Sequence, residues 1–285
     1  MENERKISVL ICWDSVTGNT TWAVEKLSQY LQEFNFNISS ANVRENFHPD
    51  IVAHDIIIFA YPVFAFKPIL TMMDCYEKLP PTGGKPCFLF HTNGGGPVGS
   101  SHYFAKKLFF KGYSVLGECS IKMKDSWTIL RNDKFDERYP ENLLELADQN
   151  IYEFASGLKH NFLDFIHSKF DIQPIKRNWS LLNLLRVFYN KKLLGIFFPI
   201  RVDLQKCTNC GKCEEACPTG RIKIENFPKT KGLCIGCYGC INVCPENAID
   251  SIFTKNKNRY RGPSVPPSVP PLVPPLVPGS TSKHL

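Results

Sequence analysis

Five short apolar runs punctuate the first half of the chain: Lys6–Trp13, Phe36–Val43, Asp55–Tyr61, Lys85–His91 and Ser114–Met123. Each is rich in Ile, Val, Leu or Phe and bounded by polar or glycine-containing loops, as strands buried in a sheet are. Between them the apolar positions recur every three or four residues. Ala23, Val24, Leu27, Tyr30, Leu31 and Phe34 show the spacing most clearly, and Ile69–Leu79, Ser101–Lys111 and Glu141–Phe154 are further helical stretches. Strands alternating with helices predict an α/β domain over residues 1–158, with a doubly wound, five-stranded parallel sheet.

The pattern then changes. Residues 159–200 form a connector in which Leu181, Leu182, Leu184, Leu185, Phe188 and Tyr189 are interrupted by Arg186, Lys191 and Lys192. Residues 201–252 hold eight of the twelve cysteines, and residues 253–285 form a tail that repeats Val-Pro-Pro with a four-residue period. Proline at that density removes backbone donors and favours polyproline II, so the tail is expected to stay out of any core. Its P-x-x-P spacing after Arg259 and Arg261 also suits an SH3-type ligand.

Charge follows the same divisions. Residues 1–158 carry fifteen basic against nineteen acidic side chains, whereas the connector carries seven against two and the tail from Ser251 five against none. The net charge of +7 is therefore concentrated in connector and tail. No nucleic-acid motif accompanies it, so packing between domains is the favoured use of the connector, with peripheral membrane contact the alternative. No uncharged apolar run is long enough to span a bilayer, and the N-terminus lacks the form of a secretory leader, so a cytoplasmic protein is expected. Cys12, Cys75, Cys87 and Cys119 fall in apolar stretches and are expected to be core side chains.

The remaining cysteines carry the chemistry. Cys207, Cys210, Cys213 and Cys217 are followed by Pro218; Cys234, Cys237, Cys240 and Cys244 by Pro245. Both copies read C-x2-C-x2-C-x3-C-P. Zinc is served by two C-x2-C pairs and has no use for a third cysteine two residues on, and disulfides belong to small secreted domains. The run resembles that of bacterial two-cluster ferredoxins, where three thiolates hold one 4Fe-4S cluster and the fourth reaches the other. One cluster is then assigned to Cys207, Cys210, Cys213 and Cys244, the second to Cys234, Cys237, Cys240 and Cys217. A small α+β ferredoxin-like domain is the expected fold.

A second site is legible between the first strand and the first helix. Ser15, Thr17, Gly18, Asn19 and Thr20 make a hydroxyl-rich loop at a helix N-terminus, where free amides and the helix dipole favour a phosphate. It lacks the lysine of a Walker loop and the three glycines of a dinucleotide loop. A plain helix cap is the other reading of the same residues. S-x-T-G-N-T resembles the phosphate loop of flavodoxins, and the resemblance implies FMN. It also implies two further loops beyond the strand ends: Tyr61 and Phe64 to pack on the ring, and Asn93, Gly94 and Gly95 to bring backbone amides to it. Tyr103 and Trp127 are further aromatic candidates, and His91 and His102 flank the third loop. Asp14 departs from the resemblance, because an anion beside a phosphate opposes binding.

The two halves together resemble the flavodoxin–ferredoxin fusion family. That implies an electron-transfer protein passing electrons between FMN and two 4Fe-4S clusters and on to a redox partner protein or small electron acceptor. An oxidoreductase acting on a substrate at the flavin and a cluster-based redox sensor are the alternatives.

Overall fold

The computed structural model describes residues 5–44, 50–96, 99–127, 129, 136–167, 199–255 and 257–263. Residues 168–198 of the connector and the proline repeat lie outside these residues.

The first domain is built on five parallel strands, β1 (Ser8–Trp13), β2 (Asn37–Asn42), β3 (Ile56–Phe64), β5 (Lys85–Asn93) and β6 (Tyr113–Lys122), in the order β2-β1-β3-β5-β6. A two-residue strand, β4 (Lys67–Pro68), folds back antiparallel on the end of β3. Numbered by the parallel strands alone, the order is 2-1-3-4-5, that of the flavodoxin-like sheet. The fold class read from the sequence is therefore the fold observed.

Alternation along the strands divides two apolar layers. Val9, Ile11, Ile56, Ile58 and Ala60 face one side with helix α1 (Asn19–Glu33) and helix α4 (Leu143–Ile166). Leu10, Cys12, Ile57, Phe59 and Tyr61 face the other with α2 (Leu70–Lys78) and α3 (Ser100–Phe110). Cys12, Cys75, Cys87 and Cys119 are all buried, as expected, and burial pushes each thiol upward. Helix α4 runs twelve residues beyond the expected Phe154, because Ala155, Leu158 and Phe162 continue its buried face, and it takes in the first residues assigned to the connector. Among the described residues no helix is long and apolar enough to cross a membrane.

The strand starts are knitted by Asp55, whose Oδ2 accepts from Ser8 N at 2.8 Å and Ser8 Oγ at 2.7 Å while Arg5 Nη2 donates to Oδ1 at 2.8 Å. Burial works to raise the pKa of this carboxyl, but the bonds from Ser8 and the Arg5 charge prevail and hold it below the usual aspartate value. A depressed folded pKa gives stability that is present above the unfolded value, about 3.9, and lost as pH falls through the folded one. Asp55→Asn should therefore flatten the dependence of stability on pH below about pH 4, measured by denaturant unfolding across that range.

The second domain is small and antiparallel. β7 (Ile200–Val202) pairs with β10 (Ile249–Ser251), and β8 (Ile222–Ile224) with β9 (Pro228–Thr230). Two short helices, α5 (Lys212–Glu215) and α6 (Gly239–Val243), each carry cysteines of the repeat. The sequence repeat is repeated in the backbone. Asn209 and Gly236, Gly211 and Tyr238, and Gly220 and Asn247 are pairs 27 residues apart in which both members have positive φ. A left-handed residue is uncommon outside glycine, so three matched pairs mark a true pseudo-two-fold.

The domains meet over a packed junction. Ile235, only 3% exposed, enters the apolar layer over α2 and α3. Trp127 Nε1 donates to Gly236 O at 3.0 Å, Asn242 Nδ2 to Ser126 O at 2.7 Å, and Arg44 Nη1 to Glu215 O at 3.1 Å. The first residues of the expected tail join in. Tyr260 N donates to Asn242 Oδ1, the Tyr260 hydroxyl to Asn19 Oδ1, and Arg261 Nη1 to the carbonyls of Asn242 and Cys244. Residues 257–263 are thus part of the folded body, held because Tyr260 has a partner in each domain and Arg261 is tied to the second.

Candidate functional site

The eight cysteines of the repeat line two separate cavities. Cys207, Cys210, Cys213 and Cys244 surround one, with Ile224, Pro228 and Ile249. Cys217, Cys234, Cys237 and Cys240 surround the other, with Ile222, Ile235 and Tyr238. Each cavity contains three cysteines of one run and the last of the other, the exchange read from the spacing. Among the described residues no three His, Cys, Asp or Glu side chains are placed to hold a single metal ion.

The local chain explains the arrangement. Left-handed residues at Asn209, Gly211, Gly236 and Tyr238 bend each C-x2-C-x2-C run around its cavity, and α5 and α6 then carry the chain across to the other. Backbone amides reach sulfur, with Gly236 N donating to Cys234 Sγ at 3.4 Å and Ala248 N to Cys244 Sγ at 3.2 Å. Burial pushes the Cys213 thiol up to about 11 and the Cys237 thiol to about 12. Thiols so desolvated ionise when a metal cation takes the proton's place, which is the condition inside an iron–sulfur cage. Cys217 goes the other way: burial opposes ionisation, but the Thr219 hydroxyl and the amides of Ile222, Thr219 and Arg221 outweigh it.

The first domain offers a cleft beyond the carboxyl ends of its strands, where ligands of doubly wound sheets bind. Ser15, Thr17, Asn19 and Thr20 form one end, Pro62–Phe64 and Thr92–Gly94 the sides, and Lys124–Trp127 a further wall. At the phosphate loop Ser15 Oγ accepts from Gly18 N at 3.2 Å, and α1 opens with Trp22 N bonded to Gly18 O at 2.9 Å. Helix geometry leaves the amides of Asn19, Thr20 and Thr21 without acceptors inside the helix, available to an anion. Thr20 and Thr92 share a hydroxyl bond of 2.8 Å at the floor.

Asp14 does not oppose an anion there. Its carboxylate is fully buried, pairs with Arg44 Nε at 2.5 Å, accepts from the Thr71 hydroxyl, and is not part of the cleft lining. The chemistry left at the loop, amides and hydroxyls without a carboxylate, fits a phosphate, and the flat aromatic faces of Phe64 and Trp127 on the cleft fit a ring system beyond it.

Several expected residues stand elsewhere. Tyr61 is fully buried beside Phe104 and His91 in the layer under α2 and α3, because it continues the face of Ile57 and Phe59. Phe64 and Trp127 line the cleft in its place. The Asn19 side chain is taken up by Lys124 O and the Tyr260 hydroxyl, leaving its backbone for a ligand. Asn93 lines the cleft, but its side chain braces the loop by donating to Ser120 Oγ and accepting from Gly96 N. Gly94 lines the cleft and Gly95 does not; a Cβ on Gly94 would stand 2.5 Å from Asp125 Cβ, so close packing of two loops is what requires glycine. His91 is fully buried, 3.6 Å from Glu118, and away from the cleft.

One lining residue comes from the other domain. Cys237 belongs to the second cysteine cage and also to the wall of the phosphate-loop cleft. Val16 of the loop packs on the same run, where a Cβ on Gly239 would overlap its side chain. Nothing in the sequence joined these positions, some 220 residues apart.

Residues 201–249 match the 4Fe-4S dicluster domain. Over 59 residues the chain is 41% identical to the pyruvate synthase subunit PorD of Methanocaldococcus jannaschii, covering 20% of this chain and 67% of that one. An uncharacterized ferredoxin from the same organism is 39% identical over 56 residues, or 18% of this chain and 73% of its own length. The match to another uncharacterized protein of that organism spans only 29% of its length. Among solved structures, an archaeal flavodoxin is 17% identical over 54% of this chain and all of its own, with a TM-score of 0.39. The FMN-bound flavodoxin of Fusobacterium nucleatum is 15% identical over 54% of this chain and 98% of its own, with a TM-score of 0.42. The dicluster match and the ferredoxin relatives, together with the 2-1-3-4-5 parallel sheet ahead of them, make the chain a member of the two-cluster 4Fe-4S ferredoxin family with a flavodoxin-like domain on the same polypeptide.

Proposed function

We propose that the protein transfers electrons between an FMN held in the cleft and two 4Fe-4S clusters held in the cysteine cages, and passes them to a redox partner. When bound, FMN supplies exchange between paired and single electrons, and each cluster supplies a one-electron store. The observation that carries this reading is Cys237, which serves both cavities at once.

The residues have distinct tasks. The amides at the start of α1 and the hydroxyls of Ser15, Thr17 and Thr20 hold the phosphate, and Phe64 and Trp127 hold the ring. Cys217, Cys234, Cys237 and Cys240 hold the cluster nearer the cleft; Cys207, Cys210, Cys213 and Cys244 hold the outer one. Cys210 is the exposed cysteine of the eight, so the outer cage reaches the surface where a partner docks. Covalent linkage raises the effective concentration of donor at acceptor, and the packed junction fixes its orientation.

Anaerobic reconstitution with iron, sulfide and FMN should give about eight irons and one flavin per chain. Flash reduction of the flavin should then bleach the cluster absorbance at a rate independent of protein concentration. A rate that rises with concentration would overturn the intramolecular route. Turnover of a small molecule at the flavin, at full rate with both cages emptied, would favour the oxidoreductase reading instead.

A further inference from the structure

The Asp14–Arg44 pair lies outside both cofactor cavities, yet it bridges the two domains. Asp14 follows β1, is anchored by its amide on Ala60 O at 3.1 Å, and presents a fully buried carboxylate. Arg44 follows β2, its turn closed by Arg44 N donating to Asn42 Oδ1 at 3.0 Å, and its side chain is 17% exposed. Nε meets Asp14 Oδ1 at 2.5 Å, and Nη1 donates to Glu215 O at 3.1 Å. Glu215 ends α5, between Cys213 of the outer cage and Cys217 of the inner one. Arg44 Nη2 is buried without a hydrogen-bond partner among the described residues.

We infer that Arg44, oriented by buried Asp14, is a positioning residue that grips the chain crossing between the cages and holds the inner cage against the cleft. The inference rests on the electron-relay reading above. Arginine's planar fork engages a carboxylate and a carbonyl at once, which a lysine ammonium on its flexible stem does not reproduce. The buried carboxylate offsets the guanidinium charge, so the pair acts on position rather than on cluster potential.

The test uses the full chain loaded with both cofactors, comparing wild type, Arg44→Lys and the double variant Asp14→Asn/Arg44→Gln. The double variant leaves no buried unpaired charge, the flaw that would endanger folding if Arg44 alone were removed. In it, an anaerobic titration followed by electron paramagnetic resonance should show both cluster potentials unmoved, because the pair removed is neutral. Flavin-to-cluster transfer should slow at least tenfold, with iron and flavin contents unchanged. Arg44→Lys should also slow transfer at unmoved potentials. Unchanged rates in the double variant, or a slowed rate that comes with a shifted potential, against a wild type that transfers internally, would overturn the role of Arg44 alone. A fully loaded wild type with no internal transfer would instead overturn the relay itself.

Discussion

Replacing Cys237 with alanine should cut the iron content from about eight to about four per chain and, at the same time, reduce flavin-to-cluster transfer by several orders of magnitude. Both losses come from one side chain because Cys237 lines two cavities. The comparison that isolates the route is Cys210→Ala. Cys210 lines only the outer cage and is exposed, so its loss should remove the same amount of iron yet leave transfer from the flavin to the inner cluster intact. FMN should still bind both variants, since the phosphate loop and the Phe64 and Trp127 walls are untouched. Iron analysis, released-flavin analysis and flash photolysis on the same samples read all three quantities. Equal transfer rates in the two variants would mean that the inner cage is not the first acceptor.

Where the sequence was legible, the reason lies in spacing enforced by chemistry. A cluster needs its ligands at set intervals, and the grouping of Cys217 with the 234–240 run and of Cys244 with the 207–213 run around the two cavities is the one the ferredoxin resemblance implied. Strands covered on both faces are nearly continuously apolar, so β1, β3 and β5 were legible too, whereas β2 is a part-exposed edge strand. Tyr61 was misplaced although its placement was in principle readable: it falls on the same side of the strand as Ile57 and Phe59, and alternation alone assigns it to the layer beneath α2 and α3. The partner of Asp14 was not readable. Arg44 stands thirty residues away on a different strand's exit, and no local pattern couples two loop residues. Tyr260 and Arg261 were hidden for a related reason, since they adjoin a proline repeat whose composition dominated the reading of everything beyond Ser251. The junction as a whole is a tertiary property, because each domain's signal is complete without the other.

The second large effect should come from Ile235→Asp. Ile235 sits between two cage cysteines and lines the inner cage, and it also joins the other domain's apolar layer, sharing a cavity with Phe64, Leu70 and Met73. Ile235 is only 3% exposed, so a carboxylate in its place loses its water, and burying a charge costs several kcal/mol. The chain has a less costly response, which is to release the domain rather than bury the charge. A loss of about 3 kcal/mol of docking free energy lowers the docking equilibrium constant by about two orders of magnitude. The variant should therefore keep its iron and its flavin, show a larger radius of gyration by small-angle scattering, and transfer electrons between them about a hundredfold more slowly. Ile235→Val, which keeps the contact and removes one methylene, should behave nearly as wild type. If Ile235→Asp loses iron as well, the residue supports its own cage. If it keeps both iron and transfer rate, the flavin and the inner cluster communicate without the junction, and the packed contact between the domains serves stability alone.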